Sequence, residues 1–248
     1  MISRNSSRRV AAGKTLAAIL MVLLTSVAAG AQALSVLPVN IFLSSGQKAT
    51  SLTIANQGTS NTAIQIRGYA WSQKDNDDQL TASGDLILSP PLATIAPGAT
   101  QVVRLILRQS PQGHEATYRI LIDQIPPPAE PGVVHMVLRL SIPIFALPAG
   151  HTFPDVQFHL ERVGEKIYLV GLNAGNLHEK IRDIVLTTSD GHKLKAESGA
   201  SPYLLSGATR RWQIAAQDSL PLTSEALQLT AQADAGAIDQ QVRLVPAR

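Results

Sequence analysis

The chain has 248 residues, 45% of them apolar, a formal net charge of +3 and no cysteine, so a disulfide framework and a thiolate metal site are both excluded. Four basic residues (Arg4, Arg8, Arg9 and Lys14) and no acidic ones fall within residues 1–33, which leaves 17 basic against 18 acidic beyond them, about −1. The sequence pI of 9.3 therefore belongs partly to the first residues, and no Lys/Arg cluster follows that would track phosphates, which argues against nucleic acid.

Residues 1–33 have the form of a secretory signal peptide. A basic n-region precedes an apolar run, 16–29, that is too short to span a bilayer comfortably, and Ala31-Gln32-Ala33 has the small-x-small form of a cleavage site. The expected mature chain begins near Leu34, is exported to a bacterial periplasm, and has no stable membrane insertion once the leader is cut. What remains is long enough for two ordinary domains of about 100 residues each.

Residues 34–43 read as an extended apolar opening before the turn Ser44-Ser45-Gly46. Residues 49–56 alternate around Leu52 and Ile54 and stop at Asn56-Gln57-Gly58. A strand is expected over 63–73, with Ile64, Ile66, Tyr69 and Trp71, then a solvated loop over 74–84 carrying Asp75, Asp77 and Asp78. Strands follow over 86–88, 101–107 and 116–125, the last closed by Pro126-Pro127-Pro128.

The stretch 133–145, V-V-H-M-V-L-R-L-S-I-P-I-F, is the unusual one. At the strand period of two, one face is Val134, Met136, Leu138, Leu140, Ile142 and Ile144, apolar throughout, and the other is mixed. At ~3.3 Å per residue it reaches roughly 40 Å, well beyond an ordinary strand. Pro143 lacks a donor N–H and suits a sheet edge. Two readings stay open: a core strand of a sandwich, or an edge kept open because another chain pairs with it.

Residues 146–154 read as a linker, and a second set of strands is expected over 156–162, 166–173, 181–189, 211–216, 226–233 and 240–245. Short strands at regular spacing, turn signals and no helical periodicity indicate an all-β chain of two sandwiches. The expected division is a signal peptide at 1–33, a first domain at 34–147 and a second at 148–248.

No catalytic site is visible. The histidines (His114, His135, His151, His159, His178, His192) show no HxxH or HExxH spacing, so neither a metal nor a cofactor is expected. No G-x-S-x-G nucleophile signature occurs. The aspartates at 75, 77 and 78 lack the glycine and distal glutamate of a calcium loop.

Taken together, L-T-I-A-N-Q-G (52–58), Y-A-W-S-Q (69–73), I-A-P-G-A (95–99), V-V-R-L (102–105), Y-R-I-L-I-D-Q-I-P (118–126) and S-I-P-I-F (141–145) resemble the PapD-like periplasmic chaperones of the chaperone–usher pilus pathway. N-A-G-N (173–176) and Y-L-L-S-G-A-T-R-R-W (203–212) are similar to the same archaic, Csu-like branch, which serves spore-coat-U-type pili. The resemblance implies two immunoglobulin-like β-sandwich domains set in an L with a cleft between them. It implies that the last strand of the first domain donates apolar residues to an incomplete pilus subunit, which is donor-strand complementation. The expected donor set is Val134, Met136, Leu138 and Leu140. The alternative for each is a place in the protein's own core.

The better-studied members anchor the subunit's C-terminal carboxylate with an arginine on the first strand and a lysine on the last; the matching places here hold Asn40 and Pro143. Arg119 and Arg139, arginines inside otherwise apolar strands, are the candidate anchors, with Arg104 a weaker third, because a guanidinium can hold a carboxylate bidentately. A solvated side chain on a sheet face is the plain alternative for each. The function implied is a non-enzymatic periplasmic chaperone that binds pilus subunits and delivers them to an outer-membrane usher, with self-association through the exposed strand as one way to cap it. The alternative is an exported immunoglobulin-like adhesin or ligand-binding module without a client, which would bury 133–145 in its own sheet.

Overall fold

The structure is a computed structural model that describes residues 34–128, 131–132, 136–197, 201–214 and 226–245. The expected leader lies outside the described residues, as do Val133, Val134 and His135. Among the described residues every regular element is a strand, and no helix is long and apolar enough to cross a membrane.

The first ten strands are β1 (Leu34–Leu37), β2 (Ile41–Leu43), β3 (Ala49–Asn56), β4 (Thr62–Lys74), β5 (Asp77–Ala82), β6 (Leu86–Ser89), β7 (Leu92–Ile95), β8 (Thr100–Leu107), β9 (Ala116–Ile125) and β10 (Arg139–Ala146). They form two facing sheets, one ordered β1-β3-β8-β6 and the other β2-β10-β9-β4-β5, with β7 also on β4. Alternation buries one side of several of these strands, β3 and β8 most regularly. On β8, Val103, Leu105 and Leu107 point inward while Val102, Arg104 and Ile106 face out. Ile54, Ile64, Ile120 and Ile144 meet at the centre of this first core.

The remaining strands are β11 (Val156–Val163), β12 (Lys166–Asn173), β13 (Glu179–Thr187), β14 (Lys193–Lys195), β15 (Tyr203–Leu204), β16 (Thr209–Gln213), β17 (Leu227–Ala233), β18 (Gly236–Val242) and β19 (Leu244–Val245). One sheet runs β16-β12-β11-β19, the other β14-β13-β17-β18, with β15 on β13. Their core joins Leu160, Leu169, Leu186 and Leu229 with two residues of the first sandwich, Trp71 and Phe145.

Both sandwiches are pinned by the same corner. Asn56 is buried; its side chain donates to the carbonyls of Ser60 (2.8 Å) and Ile95 (2.9 Å) and accepts the Gly58 N–H (3.0 Å). Its backbone bonds to Gly98 and Ala99. Asn173 repeats this with Leu177, Leu204 and Gly175, and its backbone bonds to Gly207 and Ala208. A buried amide with every local partner satisfied fixes the entry of the following turn. Gly98 and Gly207 both sit at φ +71°, where a Cβ is disfavoured.

Three expectations need correction. The 74–84 segment is no solvated loop over its whole length: β4 and β5 form a hairpin from Lys74 opposite Asp77 to Tyr69 opposite Ala82, turned by Asp75 and Asn76 in the left-handed region. All six β5 residues are exposed, so no apolar alternation marks the strand. Of the continuous strand expected over 133–145, the described residues form Arg139–Phe145 within β10, whereas Met136–Leu138 lie outside any strand. The short β7, β14 and β15 arise from pairing with a long neighbour.

Candidate functional site

β10 pairs with β9 along its whole length, from Arg139 opposite Asp123 to Ala146 opposite Ala116. It pairs with β2, in parallel, only over Ile144–Ala146. The Leu138 carbonyl accepts the Gln124 N–H (2.9 Å), and the Leu147 N–H donates to the Leu43 carbonyl on the other side (2.9 Å). Backbone groups alternate sides along a strand, so Arg139, Ser141 and Pro143 turn theirs away from β9, to the side that β2 does not reach. Among the described residues no strand pairs with that edge before Ile144. Pro143 stands on this outer side, where its missing N–H costs no ladder bond.

The side chains of the even-numbered residues follow the first core until it ends. Ile144 is fully buried, Ile142 is 6% exposed, Leu140 is half-buried against the core, Leu138 is 39% exposed and Met136 is 90% exposed. Leu140 thus packs on the protein's own core, whereas Met136 and Leu138 project past it. Val134 lies outside the described residues.

The odd-numbered face of the same sheet looks toward the second sandwich. Phe145 is wholly buried; its ring stacks on His178 at 3.6 Å and 11° and lies 5.5 Å from the exposed Phe42 ring. His178 donates its backbone N–H to the buried Glu115 carboxylate (3.0 Å), which also meets the His178 Nδ1 at 2.8 Å. Gln73 bonds to the Tyr203 carbonyl (2.9 Å) and the Leu205 N–H (3.0 Å), and Asn76, at the tip of the β4–β5 hairpin, accepts the Arg211 N–H (2.7 Å). The two sandwiches are therefore joined by buried rings and by hydrogen bonds into backbone groups, a fastening less sensitive to salt than exposed ion pairs.

Arg119 lies on this face, directly opposite Pro143 on one side and Tyr69 on the other. Its guanidinium carbon is 3.8 Å from the Trp71 ring centroid and 5.8 Å from that of Tyr203. The side chain is 13% exposed, and Asp78, 3.8 Å away, is beyond hydrogen-bonding distance. Burial pulls the guanidinium below its usual range, while Asp78 and Tyr203 act against that shift. Among the described residues the Arg119 guanidinium has no hydrogen-bond acceptor. A desolvated, under-satisfied planar cation is the element from which an anion receptor is built.

Arg139 differs. It is 62% exposed and already bonded to Asp123, which Arg67 also holds at 2.6 Å. Burial works against the Asp123 charge, but hydrogen bonds from Arg139 and Arg67 outweigh it and keep the carboxyl below its usual range. Arg104 is exposed on the outer face of the other sheet, opposite Ser51 and Ser89. Asn40 accepts the Tyr203 hydroxyl at 3.3 Å. Tyr203 and Glu115 carry no sequence signal that marks them for this site; they join the sandwiches in pairs 163 and 63 positions apart. No cluster of three or more His, Asp or Glu able to hold a metal occurs among the described residues.

Comparison with known proteins adds a family. The family model for pili and flagellar-assembly chaperones, PapD N-terminal domain, matches residues 33–152. The chaperone protein PapD of Escherichia coli is 28% identical over 109 residues, covering 42% of this chain and 44% of PapD. The chaperone protein FimB/FhaD of Bordetella pertussis is 26% identical over 141 residues, 52% of this chain and 56% of its own. The chain thus spans about half the length of the curated relatives it matches. Among solved structures, the CsuC–CsuE chaperone–tip adhesion subunit pre-assembly complex from the archaic Csu pili of Acinetobacter baumannii matches with a TM-score of 0.62 at 22% identity, over 87% of this chain and 100% of that one. The YadV chaperone matches with a TM-score of 0.61 at 17% identity, over 85% and 99%. These similarities carry the two-domain fold. Residues 33–152 are thus similar to the N-terminal domain of the pili and flagellar-assembly chaperones.

Proposed function

We propose that this protein is a periplasmic assembly chaperone: it holds a pilus subunit folded by lending it the apolar row Val134, Met136, Leu138 and the edge of β10, and passes it to an outer-membrane usher. The observation that carries the reading is the open outer edge of Arg139–Pro143 in line with an apolar row that runs off the protein's own core. Backbone pairing along the edge supplies general affinity, and alternate side chains fill a groove in the client. Burying Met136 or Leu138 contributes roughly 1.5–3 kcal/mol each before ordering costs. Leu140 serves as the hinge of the row, shared between the protein's core and the client. The units that do this are taken as 34–147 and 148–248, a division supported by sheets that share no strand pairing. The periplasmic site is supported by the leader-like first 33 residues. A client-free adhesin is disfavoured because such a module covers the edge with its own strand.

Arg119 is the favoured anchor for the client's terminal carboxylate, and Arg139 the lesser one, because Asp123 already occupies Arg139. The anchor also sets direction. A client strand along Arg139–Pro143 ends where β2 begins, beside Asn40, which the Tyr203 hydroxyl touches. A cation at that end attracts a C-terminus and repels an N-terminus, so the client strand runs parallel to β10, as β2 does.

The test is a periplasmic pull-down of the tagged protein beside its Met136→Glu/Leu138→Glu variant under pilus-expressing conditions. A co-purifying subunit of pilin size, lost in the variant, is expected. An empty wild-type pull-down would favour the client-free module; a subunit retained by both forms would keep the chaperone and move the donor residues elsewhere.

A further inference from the structure

Beyond the leader-like first 33 residues the chain holds a single sulfur atom. It has three methionines and no cysteine, and Met1 and Met21 fall within 1–33, which leaves Met136 alone. The Met136 side chain is 90% exposed, ahead of β10 and outside any strand. Val137 and Leu138 beside it are exposed too, and none of the three belongs to the first core. The two tryptophans, Trp71 and Trp212, which oxidants also attack, are buried. Oxidation of a thioether turns a flexible apolar side chain into a polar sulfoxide, and a reductase can reverse it. An oxidant reaching this protein therefore finds one freely accessible sulfur, and that sulfur stands in the apolar row that runs off the core.

We infer that Met136 is a reversible oxidation site that switches client binding, an inference that rests on the donor-row reading. The oxidant is a two-electron oxygen donor, a peroxide or a hypohalous acid. With hydrogen peroxide the S–O bond forms as the O–O bond breaks; the sulfur is oxidised, and the peroxide is reduced and leaves as water. In the free protein the new dipole stays in water and disturbs no packing. In a client's groove it is buried among the apolar side chains that the row matches, and a polar group left there without a partner weakens binding about tenfold or more. The reaction also depends on occupancy. A bound client covers Met136, so the thioether is shielded in the complex and open in the free protein. Leu138 and Leu140 have hydrocarbon side chains with no such chemistry, so the methionine gives one place in the row a second chemical state.

The test uses the tagged protein as exported, free and in complex with the subunit of pilin size that its pull-down yields. Both forms are treated with hydrogen peroxide and mapped by mass spectrometry. The free protein is expected to gain one oxygen atom, at Met136, with its thermal midpoint unchanged, and the complex to gain it far more slowly. Subunit released from the complex in urea is then diluted into untreated and oxidised protein. The oxidised form should retain it about tenfold less well, and methionine sulfoxide reductase should restore retention. Met136→Leu should hold the subunit equally before and after peroxide. Oxidised wild type that retains the subunit as untreated protein does, while Met136→Glu/Leu138→Glu loses it, would overturn the inference and leave the donor row standing. Loss of retention by peroxide in Met136→Leu would also overturn it. Untreated wild type that retains no subunit would overturn both.

Discussion

The two sandwiches repeat one plan. Each is cornered by a buried asparagine with the same set of bonds, and each ends in a strand parallel to an early one, β10 on β2 and β19 on β11. They part at that last strand. β19 spans two residues, whereas β10 spans eight and continues as an apolar row beyond its own core. The lesson is that a repeated scaffold can diverge through the length and exposure of one strand. The second sandwich matters by covering the other side of that strand, where Phe145 enters its core.

The strongest way to break the comparison is to release the covered end. Phe145→Ala should cost about 3–5 kcal/mol, seen in urea unfolding, and should separate the transitions of the two sandwiches, because the ring belongs to the second core. Asn56→Ala and Asn173→Ala test the shared corner. Asn56→Ala loses three side-chain bonds and Asn173→Ala four, each at a buried site, and each should cost about 2–4 kcal/mol; a large asymmetry in their urea midpoints would refute the equivalence.

The open end is predicted to behave oppositely. Leu140→Ala should lower stability by about 1–2 kcal/mol, but Leu138→Ala and Met136→Ala by about 0.5 kcal/mol or less, while both weaken client retention. If Leu138→Ala destabilises the isolated protein as much as Leu140→Ala, the row belongs to its own core throughout. The smallest effect concerns Asp123. Its carboxyl is held below the usual range, so its contribution is present above the ordinary aspartate value of about 3.9 and fades as pH falls toward the lower folded value. Asp123→Asn should therefore flatten the acid limb of thermal stability below about pH 4 and leave its shape near neutrality unchanged.

Much of the scaffold was legible in the residues. Alternation placed β3, β8, β9 and β12 because one face of each meets a core, and the linker appeared where alternation lapses. β5 escaped because every one of its residues is exposed, so no apolar alternation marks it. The apolar row was legible as six apolar residues at period two, but which of them the protein's own core takes depends on where that core stops. Arg119 and Arg139 looked equivalent as arginines inside apolar strands; a tight bond to Asp123 and a stack on Trp71 made them different.

Composition, alternation and turn residues by themselves determined an all-β chain of two sandwiches with one long apolar row at period two near its middle, because local periodicity reports which side of a strand is dry. Tertiary structure alone decided that β10 has an outer edge no described strand covers, that the Arg119 guanidinium is largely buried with no hydrogen-bonded partner among the described residues, and that Tyr203 meets it from the other sandwich. Those facts depend on what lies across a gap between distant segments, and no local pattern records the distance.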